Sequence, residues 1–179
     1  MRLVCRAAVL AARVLVPLVA AVASAPVAEA GRLFSESFAS PALGRDWDYD
    51  VYLPDGHKTG ALRYPILYLL HGSGADRREW VAKGAIDRTA DALIAAGEIP
   101  PCLIVMPSAG VSWYVDRQER METALVRDLI PEVERRHRAI PDRFGRAIGG
   151  ASMGGYGALR FVLKYPELFA AAALMSPSV

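Results

Sequence analysis

Ser152 lies at the centre of a G-x-S-x-G motif, Gly150-Ala151-Ser152-Met153-Gly154. The motif follows a short apolar run and precedes a helical pattern, and in this context a serine hydroxyl acts as a nucleophile at a sharp strand-to-helix turn. Such a turn needs space on both sides of the serine, which Gly149, Gly150, Gly154 and Gly155 provide. A helix that begins at the turn directs its positive dipole end toward a developing oxyanion. The pattern predicts a serine nucleophile, with a glycine-rich turn that binds nothing as the alternative.

A second glycine-rich segment, His71-Gly72-Ser73-Gly74, directly follows the apolar run YPILYLL. An oxyanion hole of the type that accompanies this nucleophile uses two backbone N–H groups. One belongs to the residue after the serine, Met153, and the other to a loop after an earlier strand, for which Ser73 is the predicted donor. His71 could be read as the catalytic base, but the base of such sites follows the serine in sequence. We therefore expect its ring to hold the loop through hydrogen bonds.

Short β-rich runs alternate with helical stretches along most of the chain. Five segments are predicted as strands: 48–53, 64–70, 103–106, 147–148, which leads into Gly149-Gly150, and 170–175. The second and third are almost continuously apolar, as expected for strands buried on both faces. Three helices are predicted between them, at 86–96, 120–138 and 156–165, and Pro131 is expected to kink or split the second helix. Right-handed crossovers would then give an α/β fold with a mostly parallel central sheet flanked by helices.

The first thirty residues have the three parts of a secretory signal. Residues 1–13 contain three arginines and no acid, an apolar run follows at 14–22, and Ala28-Glu29-Ala30 forms a small-x-small site. A membrane anchor is the alternative, but the uncharged stretch contains two prolines and is shorter than the ~18 apolar residues that a span needs. We therefore expect residues 1–30 to be a signal peptide and the protein to be secreted or periplasmic. After removal of the signal we expect no stable membrane insertion.

The charge of the remaining chain excludes some classes of partner. The signal segment holds three of the 21 basic residues and one of the 19 acidic residues, so the mature chain is formally neutral. Its densest basic run, Arg135-Arg136-His137-Arg138, ends a predicted helix, where cations suit the dipole. We expect no nucleic-acid partner. Cys102 is the only cysteine outside the signal, so it makes no internal disulfide or zinc site, and we expect a buried, inert thiol.

Several segments of the mature chain share a recognisable pattern: 52–54 (YLP), 64–74 (YPILYLLHGSG), 99–101 (IPP), 112–116 (SWYVD), 127–131 (RDLIP), 140–143 (IPDR) and 151–159 (ASMGGYGAL). Together they resemble the putative esterase family of α/β-hydrolases. That family includes esterase D (S-formylglutathione hydrolase), feruloyl and acetylxylan-type esterases, siderophore esterases and the mycobacterial antigen 85 mycolyltransferases. The resemblance implies an α/β-hydrolase fold without a metal or organic cofactor. It also implies that Ser152 is the nucleophile, with Ser73 and Met153 as oxyanion donors.

The chain departs from the family pattern after the nucleophile. The family places its triad acid and histidine downstream of the serine, whereas Glu167 is the only acidic side chain after Ser152 and no histidine follows. We expect Glu167, His57 and His137 to be surface residues. The sequence therefore predicts that residues 31–179 are the N-terminal portion of an α/β-hydrolase domain whose C-terminal part is missing. As such a fragment, it should be inactive.

The predicted function is that of a secreted serine carboxylic ester hydrolase, which acts through an acyl-enzyme on Ser152. Its substrate would be a small-molecule or carbohydrate-linked ester. Two alternatives stay open: an acyltransferase of the antigen 85 type, in which a sugar hydroxyl replaces water, and a non-catalytic secreted binding module with the same fold. Candidates for lining the substrate site are His71, Trp113 and Tyr114, although core packing explains the two aromatic residues equally well.

Overall fold

The computed structural model of the chain describes residues 30–58 and 60–178. The predicted signal peptide, apart from Ala30, lies outside the described residues. Within them, six strands form one sheet: β1 (Arg32–Ser40), β2 (Arg45–Leu53), β3 (Ile66–Leu70), β4 (Leu103–Pro107), β5 (Arg146–Ala151) and β6 (Ala171–Met175). Their order across the sheet is β1-β2-β4-β3-β5-β6. Strands β4, β3, β5 and β6 are parallel, whereas β1 and β2 pair antiparallel to each other and β2 pairs antiparallel to β4.

Helices cover both faces of this sheet. On one face, α1 (Glu79–Gly84) and α2 (Ile86–Ala95) pack on an apolar cluster centred on Leu69, Ile104 and Met106. On the other face lie α3 (Met121–Ala124), a π-helical turn (Leu125–Leu129), α4 (Ile130–Arg136) and α5 (Met153–Lys164). The predicted α/β fold with a mostly parallel central sheet is therefore confirmed. In the part of the chain that the structure describes, no helix is long and apolar enough to cross a membrane.

The expected break at Pro131 takes the form of a wider helical turn. Proline lacks an N–H group, and its ring clashes with the carbonyl of the residue four positions earlier, Arg127. The backbone widens into the π-helical turn at Leu125–Leu129, and Pro131 then occupies the first turn of α4. This arrangement keeps Leu125, Leu129 and Val133 buried against the sheet on both sides of the break.

Strand β1 was not predicted from the sequence because a charged residue interrupts its apolar alternation. Phe34, Glu36 and Phe38 lie on the more buried face of the strand, and the two phenylalanines pack against the core. Glu36 shares this face because its carboxylate accepts a hydrogen bond from the Tyr49 hydroxyl on the neighbouring strand, at 2.6 Å. A partly buried acid that has a donor beside it is compatible with the edge of the core, but the sequence alone does not reveal the donor.

His57 and His137 are buried, so the prediction that they are surface residues is wrong. The Nε2 atom of His137 lies 2.9 Å from the Glu36 carboxylate, and the Nε2 atom of His57 lies 3.1 Å from the His137 carbonyl oxygen. The side chain of Glu167, in contrast, is exposed. Both histidines are held where the end of α4 meets the β1–β2 hairpin, because Glu36 brings an acid to that point.

Cys102 lies directly before β4 and packs against the cluster beneath α1 and α2. It is partly buried and not fully buried as expected. Burial raises the pKa of its thiol, which favours the protonated, unreactive form.

Glu122 is a buried acid that connects α3 to α5. Its carboxylate contacts the guanidinium of Arg160 at 2.5 Å, the ammonium of Lys164, and the hydroxyl of Tyr165 at 2.6 Å. Burial alone would raise the pKa of this carboxyl, but the three donors outweigh it and lower the pKa from 4.5 to about 2. The ionised carboxylate therefore stabilises the folded state above pH 4.5. That contribution is lost as the pH falls through the folded pKa.

We expect Glu122→Gln to lower the free energy of unfolding by about 2 kcal/mol at pH 7, because one carboxylate serves three donors in a buried position. The difference from wild type should shrink as the pH approaches about 2.5, since the wild-type carboxyl is then largely protonated in the unfolded state and partly so in the folded state. Urea denaturation at the two pH values measures it. Glu119→Gln is the matched control: Glu119 pairs with Arg45 at the surface, and its loss should cost less than about 1 kcal/mol. If Glu122→Gln lowered the free energy of unfolding equally at both pH values, the ionised Glu122 carboxylate would not be the stabilising group.

Candidate active site

Ser152 occupies the sharp turn between β5 and α5, with its side chain exposed. Its backbone angles are φ 53° and ψ −115°, a conformation that costs a non-glycine residue about 1–3 kcal/mol. Hydrogen bonds on both sides hold it: the Ser152 N–H donates to the Met175 carbonyl at 3.0 Å, and the Ser152 carbonyl accepts from the Tyr156 N–H at 2.9 Å. The turn therefore presents the Ser152 hydroxyl to solvent at the carboxyl end of the sheet.

Two glycines of the G-x-S-x-G motif allow this turn to lie against β3. A Cβ atom on Gly154 would lie 2.2 Å from the carbonyl oxygen of Leu70, and one on Gly150 would lie 2.5 Å from the backbone of Gly154. Backbone atoms cannot move aside as a flexible side chain can. Glycine is therefore required at both positions by close packing between the turn and the end of β3.

Gly154→Ala should destabilise the fold by about 3 kcal/mol, because the added methyl group overlaps fixed backbone atoms. Thermal or chemical denaturation of the purified chain measures the effect. Gly84→Ala is the control, since the nearest atom to its added Cβ is a Trp80 ring carbon at 3.8 Å. That substitution, at the last position of α1, should be neutral or slightly stabilising. Equal stability of the two variants would show that the turn is looser than the contacts indicate.

The His71–Gly74 loop lies beside Ser152 because β3 and β5 are parallel neighbours, with Leu70 in register with Gly150. Their carboxyl ends therefore meet at the same edge of the sheet. A Cβ atom on Gly72 would lie 3.8 Å from the Cβ atom of Ser152. The N–H groups of Ser73 and Met153 donate to no atom of residues 30–58 and 60–178. Both are thus available for a negatively charged oxygen.

Acidic and basic side chains that the sequence analysis missed fix this loop in place. The Gly72 N–H donates to the Glu79 carboxylate at 2.8 Å. Arg77, which follows the loop, donates to the buried carboxylate of Asp50 on β2 at 2.9 Å. These contacts connect the loop to α1 and to the sheet. Charged residues scattered along the chain gave no sequence signal of this role.

His71 and Tyr114 are fully buried, so neither side chain is exposed at the surface beside Ser152. The His71 Nε2 atom accepts from the Ala109 N–H at 2.9 Å, which requires the neutral ring. Its Nδ1 atom then donates to the Gly72 carbonyl at 2.7 Å. The Tyr114 hydroxyl donates to the His71 carbonyl at 3.2 Å. The polar atoms of both side chains are therefore engaged in hydrogen bonds, and these bonds hold the His71–Gly74 loop in place.

Trp113 is half-buried and faces the edge of the sheet at which Ser152 lies. Both Trp113 and Tyr114 have positive φ angles, 58° and 56°, which non-glycine residues adopt only where the surroundings compensate for the strain. This backbone turn directs Tyr114 into the core and leaves the Trp113 ring against Tyr156, with ring centroids 5.6 Å apart and planes at 79°.

A pocket of about 370 Å³ adjoins Ser152 and is lined by Trp113, Arg117, Tyr156 and Ser178. The Ser178 hydroxyl oxygen lies 3.1 Å from that of Ser152, so the pocket extends to the Ser152 side chain. Sequence reasoning identified only Trp113 among these four. Tyr156 could have been found, since it lies one helical turn after Ser152 on α5.

Among the described side chains, no histidine or carboxylate is hydrogen-bonded to the Ser152 hydroxyl. Ser178 is the one side-chain partner of its hydroxyl in residues 30–58 and 60–178. The three histidines, His57, His71 and His137, are buried and bonded elsewhere. The described residues thus bring together the hydroxyl group of Ser152 and the two uncommitted N–H groups of Ser73 and Met153.

Comparison with known proteins gives the family. The family model described as "Putative esterase" matches residues 40–179. An esterase of Mycobacterium tuberculosis is 36% identical over 151 residues, which cover 79% of this chain and 31% of that protein. An endo-1,4-beta-xylanase/feruloyl esterase of Xylanibacter ruminicola is 32% identical over 156 residues, which cover 82% of this chain and 22% of that protein.

The solved structure of a ferulic acid esterase superimposes with a TM-score of 0.78 at 31% identity, over 83% of this chain and 60% of that one. The chain spans about a third or less of the length of the two curated relatives described above. The fold, the family match and these similarities agree with the resemblance inferred from the motifs. The chain belongs to the putative esterase family, and it has the α/β-hydrolase fold of an ester hydrolase.

Proposed function

We propose that this chain carries the nucleophile of a secreted serine carboxylic ester hydrolase. The observation that supports this best is the position of Ser152, in a strained strand-to-helix turn and beside a loop with an uncommitted N–H group. A nucleophile and an oxyanion hole must meet at one carbonyl group, and the parallel pairing of β3 with β5 brings their loops to one point.

In the proposed reaction, the substrate carbonyl oxygen points toward the N–H groups of Ser73 and Met153. The Ser152 oxygen attacks the carbonyl carbon, and the negative charge that develops is stabilised by those two donors. The alcohol leaves as the acyl-enzyme forms. Water then attacks the acyl-enzyme and releases the carboxylic acid.

We propose that the base and the triad acid come from a segment that follows residue 179. The histidines of the described chain support this, because none is free to reach Ser152. The greater length of the relatives is consistent with it. In the complete site the histidine would take the proton from Ser152 and pass it to the leaving alcohol, while the acid orients the ring. Residues 31–179 alone would then retain little of the catalysis.

The proposed substrate is a small-molecule or carbohydrate-linked ester. Support comes from the names of the relatives, which include feruloyl esterases, and from the aromatic side chains beside Ser152. We also propose export, from the signal pattern in residues 1–30. N-terminal sequencing of the exported protein should then start near residue 31, and an intact Met1 would contradict it.

Trapping of the acyl-enzyme tests the proposed chemistry directly. The catalytically competent protein is mixed with p-nitrophenyl acetate, quenched in acid and digested. Mass spectrometry should find the acetyl group on the peptide that contains Ser152. Hydrolysis of the ester by this protein with no acetyl group on the Ser152 peptide would exclude the proposed mechanism.

A further inference from the structure

The pocket beside Ser152 has one cationic side chain, Arg117, which lines it together with Trp113, Tyr156 and Ser178. Two acids belong to the same loop as Arg117, and both are engaged elsewhere. Asp116 accepts from the backbone N–H and the hydroxyl of Thr123, at 3.0 and 2.6 Å.

Glu119, the other acid of the loop, binds Arg45 through two hydrogen bonds of 2.8 Å. It is therefore neutralised by a different arginine. Within residues 30–58 and 60–178, the Arg117 guanidinium has no acidic partner. An arginine at the rim of a pocket, with neighbouring acids already paired, attracts an anion.

The other walls of the pocket favour a ring. Trp113 and Tyr156 meet edge to face, and this geometry leaves aromatic surface available for another ring at the same packing distances. The strained backbone at Trp113 places its side chain in this position. Ser178 connects the pocket to the nucleophile through its hydroxyl group.

We infer that this pocket is a subsite for a ring that bears a carboxylate, and that Arg117 determines the specificity for it. The guanidinium presents two parallel donors, which match the planar carboxylate, and the aromatic walls of the pocket favour a carboxylate carried on a ring over inorganic phosphate, which has no ring to pack against them. The inference rests on the proposed function in one respect: the ring and carboxylate would be part of an ester whose carbonyl reaches Ser152. Binding at the subsite itself needs no turnover.

Tryptophan fluorescence of the purified chain, titrated with benzoate and with benzamide, tests the subsite. Benzamide has the same ring without the charge. Benzoate should bind about tenfold more tightly than benzamide, and Arg117→Gln should remove that preference. Arg117→Lys keeps the positive charge but loses the two parallel donors of the guanidinium, so it should retain part of the preference for benzoate. Arg120→Gln is the control, because Arg120 is exposed on the same segment and does not line the pocket.

Trp113→Phe should remove the fluorescence response, since Trp47 is buried in the core and Trp80, a residue of α1, packs against the apolar cluster beneath that helix. Inorganic phosphate should displace benzoate only weakly, with an affinity for the pocket at least about tenfold lower than that of benzoate. Equal affinities for benzoate and benzamide, an unchanged preference in Arg117→Gln, or equally strong competition by phosphate would each overturn the inference. Failure of the proposed hydrolysis is a separate result, because acylation of Ser152 is measured without benzoate and benzoate binding is measured without acylation.

Discussion

Ser152→Ala should abolish covalent labelling by a fluorophosphonate probe and lower the turnover of short p-nitrophenyl esters by roughly 10⁴ to 10⁶ in the catalytically competent protein. Loss of the attacking oxygen removes the acyl-enzyme route, so only binding and the oxyanion hole contribute to what is left. Alanine fits the turn sterically, since it is smaller than serine. The fold should therefore persist, as measured by circular dichroism and thermal denaturation.

Ser178→Ala is the matched control for this loss. Its hydroxyl lies 3.1 Å from that of Ser152, so it is the described side chain best placed to be mistaken for the nucleophile. This variant should keep covalent labelling by the probe, because its hydroxyl has no covalent role in the proposed reaction. Near-normal turnover in Ser152→Ala would refute the nucleophile assignment. The alternative of a binding module that kept the fold would then be the better account.

The position of Ser152 and of the His71–Gly74 loop at one edge of the sheet was predictable because its signals are local. The apolar runs that became β3 and β4 are buried on both faces, and the glycines around Ser152 leave space that the structure uses at Gly150 and Gly154. Parallel pairing of β3 with β5 then brings two separately recognised motifs together. Each of these features follows from a few consecutive residues, so a single sequence is enough to find them.

Other features depend on partners that are distant in sequence. The sequence analysis either missed these features or predicted them wrongly. The burial of His137 depends on Glu36, which is 101 residues away, and the buried Glu122 depends on Arg160 and Lys164 of α5, which are 38 and 42 residues later. Strand β1 was missed for the same reason, since the charged Glu36 interrupts the apolar residues on its more buried face. A charged side chain appears solvent-exposed in a sequence until its partner is known.

The wall of the pocket shows a third limit. Trp113 and Tyr114 are adjacent aromatic residues of similar size, and the sequence made both candidates for the substrate site. Their left-handed backbone angles separate them, one toward the pocket and one into the core. Nothing in the residue types predicts this, because the strain is tolerated only in the folded surroundings.

Ser73→Pro should reduce turnover by roughly 10² to 10³ in the catalytically competent protein, because proline deletes one of the two proposed oxyanion donors. Ser73→Ala keeps the backbone N–H and should change turnover only slightly. The side chain of Ser73 is exposed, so its hydroxyl is not needed for packing. The contrast between the two variants therefore distinguishes a role of the backbone from a role of the side chain.

A proline ring also restricts the preceding residue, so Ser73→Pro could act by displacing Gly72 from Glu79. Replacement of the peptide bond between Gly72 and Ser73 by an ester bond deletes the same N–H without introducing the ring. That protein should show the same loss in kcat with little change in KM, because the donor stabilises charge that develops only in the transition state. A Ser73→Ala loss as large as that of Ser73→Pro would exclude the backbone assignment. The Ser73 hydroxyl would then be the group in contact with the substrate.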